Sequence, residues 1–345
     1  MSRASGAVLF SLGLLLFVLP GCDDGDSCLE GAFGGQCDNQ QERRGEPDAL
    51  ADGSADLLDD IEVAVDSAQE TEIPKGTYPQ GASDKQVEAL TYVNEVRYAV
   101  GLGPIDETSA INGAALAHAQ YYALHAQQYA STGLSPHEEN QSWSEGFTAV
   151  SFFDRMRKHG YDGYSGFEII AFYHHPRKAV DGWMETLYHR IPIVYPDSEE
   201  MGYGAAGGGG SAIDVIDFGV GSGAPHDSVV LYPWEGQADV PVSWNGYESP
   251  QPPPPPGGYP SGPIITATFG SVVPHFDTHE LLGENNRGID HTYLTPTTDS
   301  HLDGTETVSL YSDEPLLPGV TYRVRLVGAW HGDPYELEWA FTTQE

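Results

Sequence analysis

Apolar residues recur at three- and four-residue steps through the middle of the chain. Val87, Leu90, Val93, Val96 and Val100 form one such stripe, the spacing of a helix with one buried face. Ser83 with Gln86 is a capping-box signal for its start, and Gly101 and Gly103 stop it. Ile111, Ala115, His118, Ala119, Tyr122 and Ala126 predict a second helix, opening at 106–109 and broken by the turn residues at 133–136. A third is expected over 147–159, with Phe152, Phe153 and Met156 as core and Gly160 as its stop. A fourth opens at Pro176, the favoured first-turn position, and runs to 188 with Ala179, Val180, Trp183 and Leu187 inward. The period then shortens. Segments 201–206 and 211–220 read as strands joined by four glycines, with Ile213, Val215, Ile216 and Phe218 as β-rich positions. Helices followed by strands predict an α+β domain with helices stacked on an antiparallel sheet. From 264 to 345 the pattern is all β, and 321–326 and 337–342 alternate cleanly. Between the two parts, prolines 252–256 predict a stiff spacer.

Composition changes this picture mainly at the start of the chain. The 345 residues suffice for two domains plus linkers. Between 23 and 74 there are 16 acidic side chains against Arg43 and Arg44, and Phe33 is the lone aromatic. Such a stretch cannot bury enough apolar area to offset its ordering entropy, so it is expected as a disordered tether. Before it, Arg3 precedes an apolar run at 7–19, too short to span a bilayer comfortably but suited to a signal-peptide core. The net charge of −36 sets the chain against phosphate backbones, which excludes nucleic acid as a partner class. The domain plan expected from sequence is a leader at 1–22, a tether at 23–82, an α+β domain at 83–222, a linker at 223–263 and a β module at 264–345.

The leader ends in Leu19-Pro20-Gly21-Cys22, which resembles the lipobox of bacterial lipoproteins, with Pro20 where a small residue is usual. That resemblance implies lipidation at Cys22 and a membrane-anchored exported protein, on the cell surface or in the periplasm. Cys28 and Cys37 then remain as an even pair in an oxidising compartment, where they can close a small loop as a disulfide. A second resemblance rests on an ordered set of residues. Asn94 and Arg97 are followed by Gly101-Leu102-Gly103-Pro104-Ile105, and Ala115 by His118-Ala119. Next come Ser135 with His137, Phe153 with Arg155, and Phe167-Glu168-Ile169. Trp183 with His189-Arg190 and Met201-Gly202-Tyr203-Gly204 complete the set. In this order they resemble the SCP-like extracellular domain of the CAP superfamily, in its bacterial form, over about residues 84 to 222. The resemblance implies a three-layer α-β-α sandwich. Leu317-Pro318-Gly319 and the closing Trp339-Ala340-Phe341-Thr342 resemble immunoglobulin- or fibronectin-like modules. About 80 residues is short for a full sandwich of ~100, so missing strands are expected.

Members of that family place two histidines and two acidic residues in a central cleft. Matched residue by residue, His137 and His189 stand for the histidines and Glu168 for the first glutamate. Ile169 replaces the usual Asn, and Thr186 stands where a second Glu or a Ser is common. Glu185, one residue earlier and about 100° around the helix, is grouped with His137, Glu168 and His189 as a cleft residue. Read from the residues alone, His137 competes with a plain loop histidine and His189 with a helix-dipole partner. Glu168 sits in an apolar sequence, so it needs a cation, a histidine or backbone donors nearby. His118, on an alanine-rich face, is expected as a hydrogen-bonded core histidine, and Asn94 and Arg97 as structural ties. The leading expectation is ligand binding in the His/Glu cleft, with a divalent cation such as zinc held by His137 and His189. The alternatives are a metal-dependent hydrolase of peptides or wall polymers, with Glu168 activating water, and lipid or sterol binding. No Gly-x-Ser-x-Gly motif is present to suggest serine chemistry.

Overall fold

Helix caps and chain reversals in the first domain follow from side chains that the sequence pattern already marks. The structure is a computed structural model that describes residues 73–221 and 226–345. The expected leader, Cys22, the Cys28–Cys37 pair and the tether as far as residue 72 lie outside the described residues. The end of that tether stretch, 73–82, is packed on the domain. Gly76 lies against the Ile105 carbonyl, and the Thr77 amide donates to Asp106 Oδ1 at 2.6 Å.

Helix α1, Asp84–Ala99, opens on a reciprocal capping box between Ser83 and Gln86. Helix α2, Ser109–Thr132, is capped by Thr108 and ends at Gly133 in the left-handed region, φ 68°. Helix α3, Phe152–Lys158, is shorter than expected, because the Ser151 side chain caps it at the Asp154 amide and leaves 147–150 as loop. Helix α4, Pro176–Glu185, also stops early. Thr186 turns extended, and the amides of 187–189 take a carboxylate from elsewhere instead of continuing the helix. A short α5, Ile191–Val194, follows.

Four strands form the domain's sheet: β1 Asp106–Glu107, β2 Ser165–Ala171, β3 Ser198–Ala206 and β4 Ile213–Val220, in the order β1-β3-β4-β2. β2 was not expected as a strand. It lies antiparallel to β4, with Glu168 opposite Asp217. Its neighbours Ile169 and Ile170 pack into different cores, so both faces are covered and the alternation that marks a half-exposed strand is absent. On one face Ile169, Met201, Tyr203, Ile216 and Phe218 pack with Leu90, Val93, Val180 and Trp183 of α1 and α4. On the other, Ile170, Ile213 and Val215 pack with Ala115, Ala119 and Tyr122 of α2. The domain is therefore the three-layer α-β-α sandwich, in an α+β chain. Asn94 and Arg97 tie its pieces together. Asn94 bridges the Lys75 and Ile105 carbonyls, and Arg97 reaches those of Gly103, Ile193, Tyr195 and Ser198.

The β module holds eight strands, and two of them come from the stretch expected as a linker. These are β5 Val229–Tyr232 and β6 Gln237–Val240. The others are β7 Ile265–Phe269, β8 His275–Leu282, β9 His291–Leu294, β10 Thr307–Ser312, β11 Thr321–Trp330 and β12 Asp333–Thr343. They form two sheets, β5-β7-β10-β9 and β6-β12-β11-β8. The sandwich core between them includes Phe269, Leu310, Val324, Leu326, Trp339 and Phe341. The strands a module of 264–345 lacks are thus supplied from upstream. The proline run is not a free spacer either. Pro252 and Pro255 are buried, and the Tyr259 hydroxyl donates to the Pro252 carbonyl at 3.1 Å.

Candidate functional site

The chain reverses after α2 through 133–136, and the Ser135 hydroxyl accepts the His137 amide at 3.3 Å. This turn presents His137 to the middle of β2. There the His137 Nδ1 lies 2.9 Å from Glu168 Oε1, with the imidazole side chain 25% exposed and the carboxylate 1% exposed. Arg155 of α3 reaches the same carboxylate from the other side, Nη2 to Oε2 at 2.5 Å. The guanidinium is fully buried and also donates to the carbonyls of His137 at 3.1 Å and Val150 at 3.1 Å. A buried charge survives only with such partners. Both Glu168 oxygens are thereby occupied, one by an imidazole and one by a guanidinium.

A second carboxylate deepens this network. Asp217 of β4, opposite Glu168 in the ladder, is fully buried and meets no N–H or O–H donor among the described residues. Burial, then the negative charge of Glu168, push its pKa well above the ordinary carboxylate range. Asp217 is thereby biased toward its neutral, protonated form beside Glu168. Glu168 goes the other way. Burial opposes its charge, but Arg155, with the imidazoles of His118 and His137, holds it far below the usual range. Two carboxyl groups side by side are thus driven apart, the pKa of one pushed up and that of the other down.

Behind them lies a buried pair, His118 and Glu139, joined at 3.2 Å with the other imidazole nitrogen 2.7 Å from the Pro136 carbonyl. Glu139 also takes the Thr148 amide at 2.6 Å and the Ala149 amide at 3.2 Å. Both ring nitrogens of His118 face acceptors, which asks for a proton on each; burial and the nearby Arg155 guanidinium act against that charge. His118 is a core histidine that braces the loop carrying His137.

His189 has a different partner. Its Nδ1 lies 2.8 Å from Oε1 of Glu248, a residue far downstream, and its side chain is 15% exposed. No hydrogen bond or ring contact joins it to His137 or Glu168 among the described residues. Glu185 stands apart from both pairs. It lines a seam between α4 and the β module with Met184, Arg190, Tyr232 and Trp244, and burial, then Asp181, raise its pKa. The step of one residue along α4 that separates Glu185 from Thr186 turns it to that seam. Thr186 is buried and donates its hydroxyl to the Trp183 carbonyl at 2.7 Å.

Among the described residues, no group of three or more His, Cys, Asp or Glu side chains is placed to hold a metal ion. The donor set still leaves something for a cation. With Nδ1 of each imidazole on a carboxylate, Nε2 of His137 and of His189 is the remaining lone pair. Glu168 is buried and its charge is already met by Arg155, which makes it a poor ligand. Sequence reasoning quoted Arg155 without a role and missed Asp217, Glu139 and Glu248. Arg155 carried little signal, being one of three basic residues in α3 beside Arg157 and Lys158. Glu248 carried none.

Comparison with known proteins adds the following. The sequence model of CAP, the cysteine-rich secretory protein family, matches residues 90–216. No curated protein matches the chain. Among solved structures, an extracellular SCP-domain protein of Bacillus anthracis strain Ames is 15% identical, with a TM-score of 0.29. The alignment covers 40% of this chain and 40% of that one. An outer surface protein of Borrelia burgdorferi is 15% identical over 38% of this chain and 88% of its own, with a TM-score of 0.29. The venom allergen-like protein 4 of Schistosoma mansoni is 16% identical over 41% and 92%, with a TM-score of 0.27.

Proposed function

From the premise that residues 90–216 are a CAP domain, we propose that the chain is an exported surface protein that binds a ligand through His137 and His189 and does not hydrolyse it. The observation that carries this is the state of Glu168. A general base needs a free oxygen and a pKa near the working pH. Glu168 lacks the second, since Arg155 and His137 hold it ionised with its pKa far below that range. What supports the reading instead is that each imidazole has Nδ1 on a carboxylate, which leaves Nε2 for a ligand. Such nitrogens suit a divalent cation or a ligand rich in hydroxyl and amide donors. Zinc would be held through the two Nε2 atoms and would polarise a ligand oxygen.

Calorimetric titration of zinc into the full chain tests this, beside turnover of peptide and wall-polymer substrates by the zinc-loaded protein. Weakened binding in both His137→Ala and His189→Ala is expected, with no turnover above that of Glu168→Gln. Turnover that disappears with Glu168→Gln would replace this proposal with metal-assisted hydrolysis. Zinc binding untouched by either histidine substitution would remove the imidazoles from the site. Export and anchoring rest on the leader and on Cys22. In a detergent phase partition the protein from its native host is expected in the detergent layer, and Cys22→Ala in the aqueous one; equal partition of the two would dismiss the anchor.

A further inference from the structure

The carboxylate on His189 does not belong to the CAP domain. Glu248 lies 59 residues downstream, between β6 and β7, outside the family match. Its side chain is fully buried and gathers four N–H groups from three consecutive residues. Oε2 accepts the Leu187 amide at 2.8 Å. Oε1 accepts the Tyr188 amide at 2.7 Å, the His189 amide at 3.0 Å and the His189 imidazole at 2.8 Å. The loop that carries Glu248 is itself pinned. Trp244 and Ser261 exchange backbone hydrogen bonds at 3.0 Å, Tyr259 packs edge-on against Trp244, and Gln251 donates to the Gly246 carbonyl at 2.7 Å.

We infer that Glu248, delivered by the segment that leads into the β module, is the positioning residue of His189 and makes ligand binding by the CAP domain depend on that module. The reasoning is a count of donors and acceptors. Three backbone amides already donate to this carboxylate, so it acts as an acceptor toward the imidazole too. The imidazole must then donate from Nδ1, and a neutral ring bearing Nδ1–H leaves its lone pair on Nε2. The amide contacts alone would serve to cap the entry to α5. The imidazole contact goes further, because it selects the tautomer and fixes the ring plane. His137 receives the same service from Glu168, inside the domain. The chain therefore holds two imidazoles by Nδ1 in the same way, with one carboxylate from each half of the molecule. This rests on the reading of His189 as a ligand-facing group.

The test is a nitrogen-15 spectrum of the full chain with labelled histidine, recorded beside zinc titration. In the wild type His189 is expected as a single Nδ1–H tautomer. Glu248→Gln retains an oxygen acceptor and should keep that tautomer, whereas Glu248→Ala should populate both. Zinc affinity should fall about 10- to 100-fold in Glu248→Ala and by less in Glu248→Gln, with the His137 signals unmoved. A folded Glu248→Ala protein whose His189 keeps the wild-type tautomer would overturn the inference. Should Glu248→Ala fail to fold, a wild-type His189 found as the Nε2–H tautomer would overturn it. A wild type that binds no zinc would sink the cation reading above, while the tautomer comparison would still decide the role of Glu248.

Discussion

Three arginines are buried among the described residues, and they do different work. Arg97 and Arg190 are surrounded by carbonyl oxygens, and burial lowers the pKa of each to about 10, so both stay charged at neutral pH. They gather chain ends that secondary structure leaves unpaired. Arg155 faces carboxylates, and removing it would strand Glu168 as a buried uncompensated charge. Glu107 of β1 has no such cation. Burial raises its pKa from 4.5 to about 7, with the Asn112 side-chain amide at 3.2 Å working the other way. The sign follows from linkage. Between about pH 4.5 and 7 the folded state binds more protons at Glu107 than the unfolded chain does. Its contribution to stability is full below that window, is lost as pH rises through it, and is flat above. Glu107→Gln has no proton to lose. Urea denaturation of the two proteins should therefore diverge with rising pH. The Gln form should gain on the wild type by on the order of 1–3 kcal/mol between pH 4.5 and 8. Parallel curves would show that Glu107 is solvated in the folded state.

Packing between elements explains which of them the sequence reveals. Helices α1 and α2 are long, carry a 3.6-residue apolar period and have local caps, so both position and start are written within a few residues of one another. β2 hides because it is covered on both faces and interrupted by Glu168, whose partners come from α3 and the loop after α2. β5 and β6 hide because four-residue strands beside Gly and Pro resemble linker until a distant partner, β7 or β12, completes them. The same limit applies to the site: His137 and Glu168 were legible from motif order, but Glu248 acquires meaning only through contacts 59 to 61 residues back along the chain. β3 shows a further element-level constraint. A Cβ on Gly204 would lie 2.3 Å from the backbone of Ala115 and Leu116, and one on Gly202 would lie 2.2 Å from that of Ile111 and Asn112. Backbone cannot move aside as a side chain can, so the spacing of α2 over the sheet depends on the two missing methyl groups. Gly204→Ala should cost about 1–3 kcal/mol or more in a denaturation experiment. Gly103→Ala, where a Cβ meets nothing within 4 Å, should change stability by less than about 0.5 kcal/mol. Equal effects at the two positions would mean that α2 does not pack so closely on β3.

Taken as a whole, the described chain should unfold as one body although its sequence reads as two domains and a linker. The seam between the CAP domain and the β module is a core of its own, in which Leu187 and Ile191 pack with Trp244, Ile264, Leu294, Leu302 and Tyr311. Polar contacts cross it at several heights. Arg190 donates to the Ile264 carbonyl at 2.9 Å, Tyr188 to Asp299 at 2.6 Å and Tyr195 to Glu306 at 2.7 Å. Ile73–Glu345 falls within a single compact unit. Burying a side chain such as Leu187 or Ile191 is worth ~1.5–3 kcal/mol, so the two alone approach the whole stability of a marginal domain. Coupling of that size should merge the two unfolding events, and calorimetry of the full chain should give one transition. A chain stopped after residue 221 loses the partners of Leu187 and Ile191 and the acceptor for the 187–189 amides together. It should melt several degrees lower, expose apolar surface to a dye such as ANS, and lose whatever binding depends on His189. Two separate transitions, with the shortened chain as stable as the first of them, would mean that the domains hang as independent beads. The CAP domain would then need nothing from the module to hold its shape.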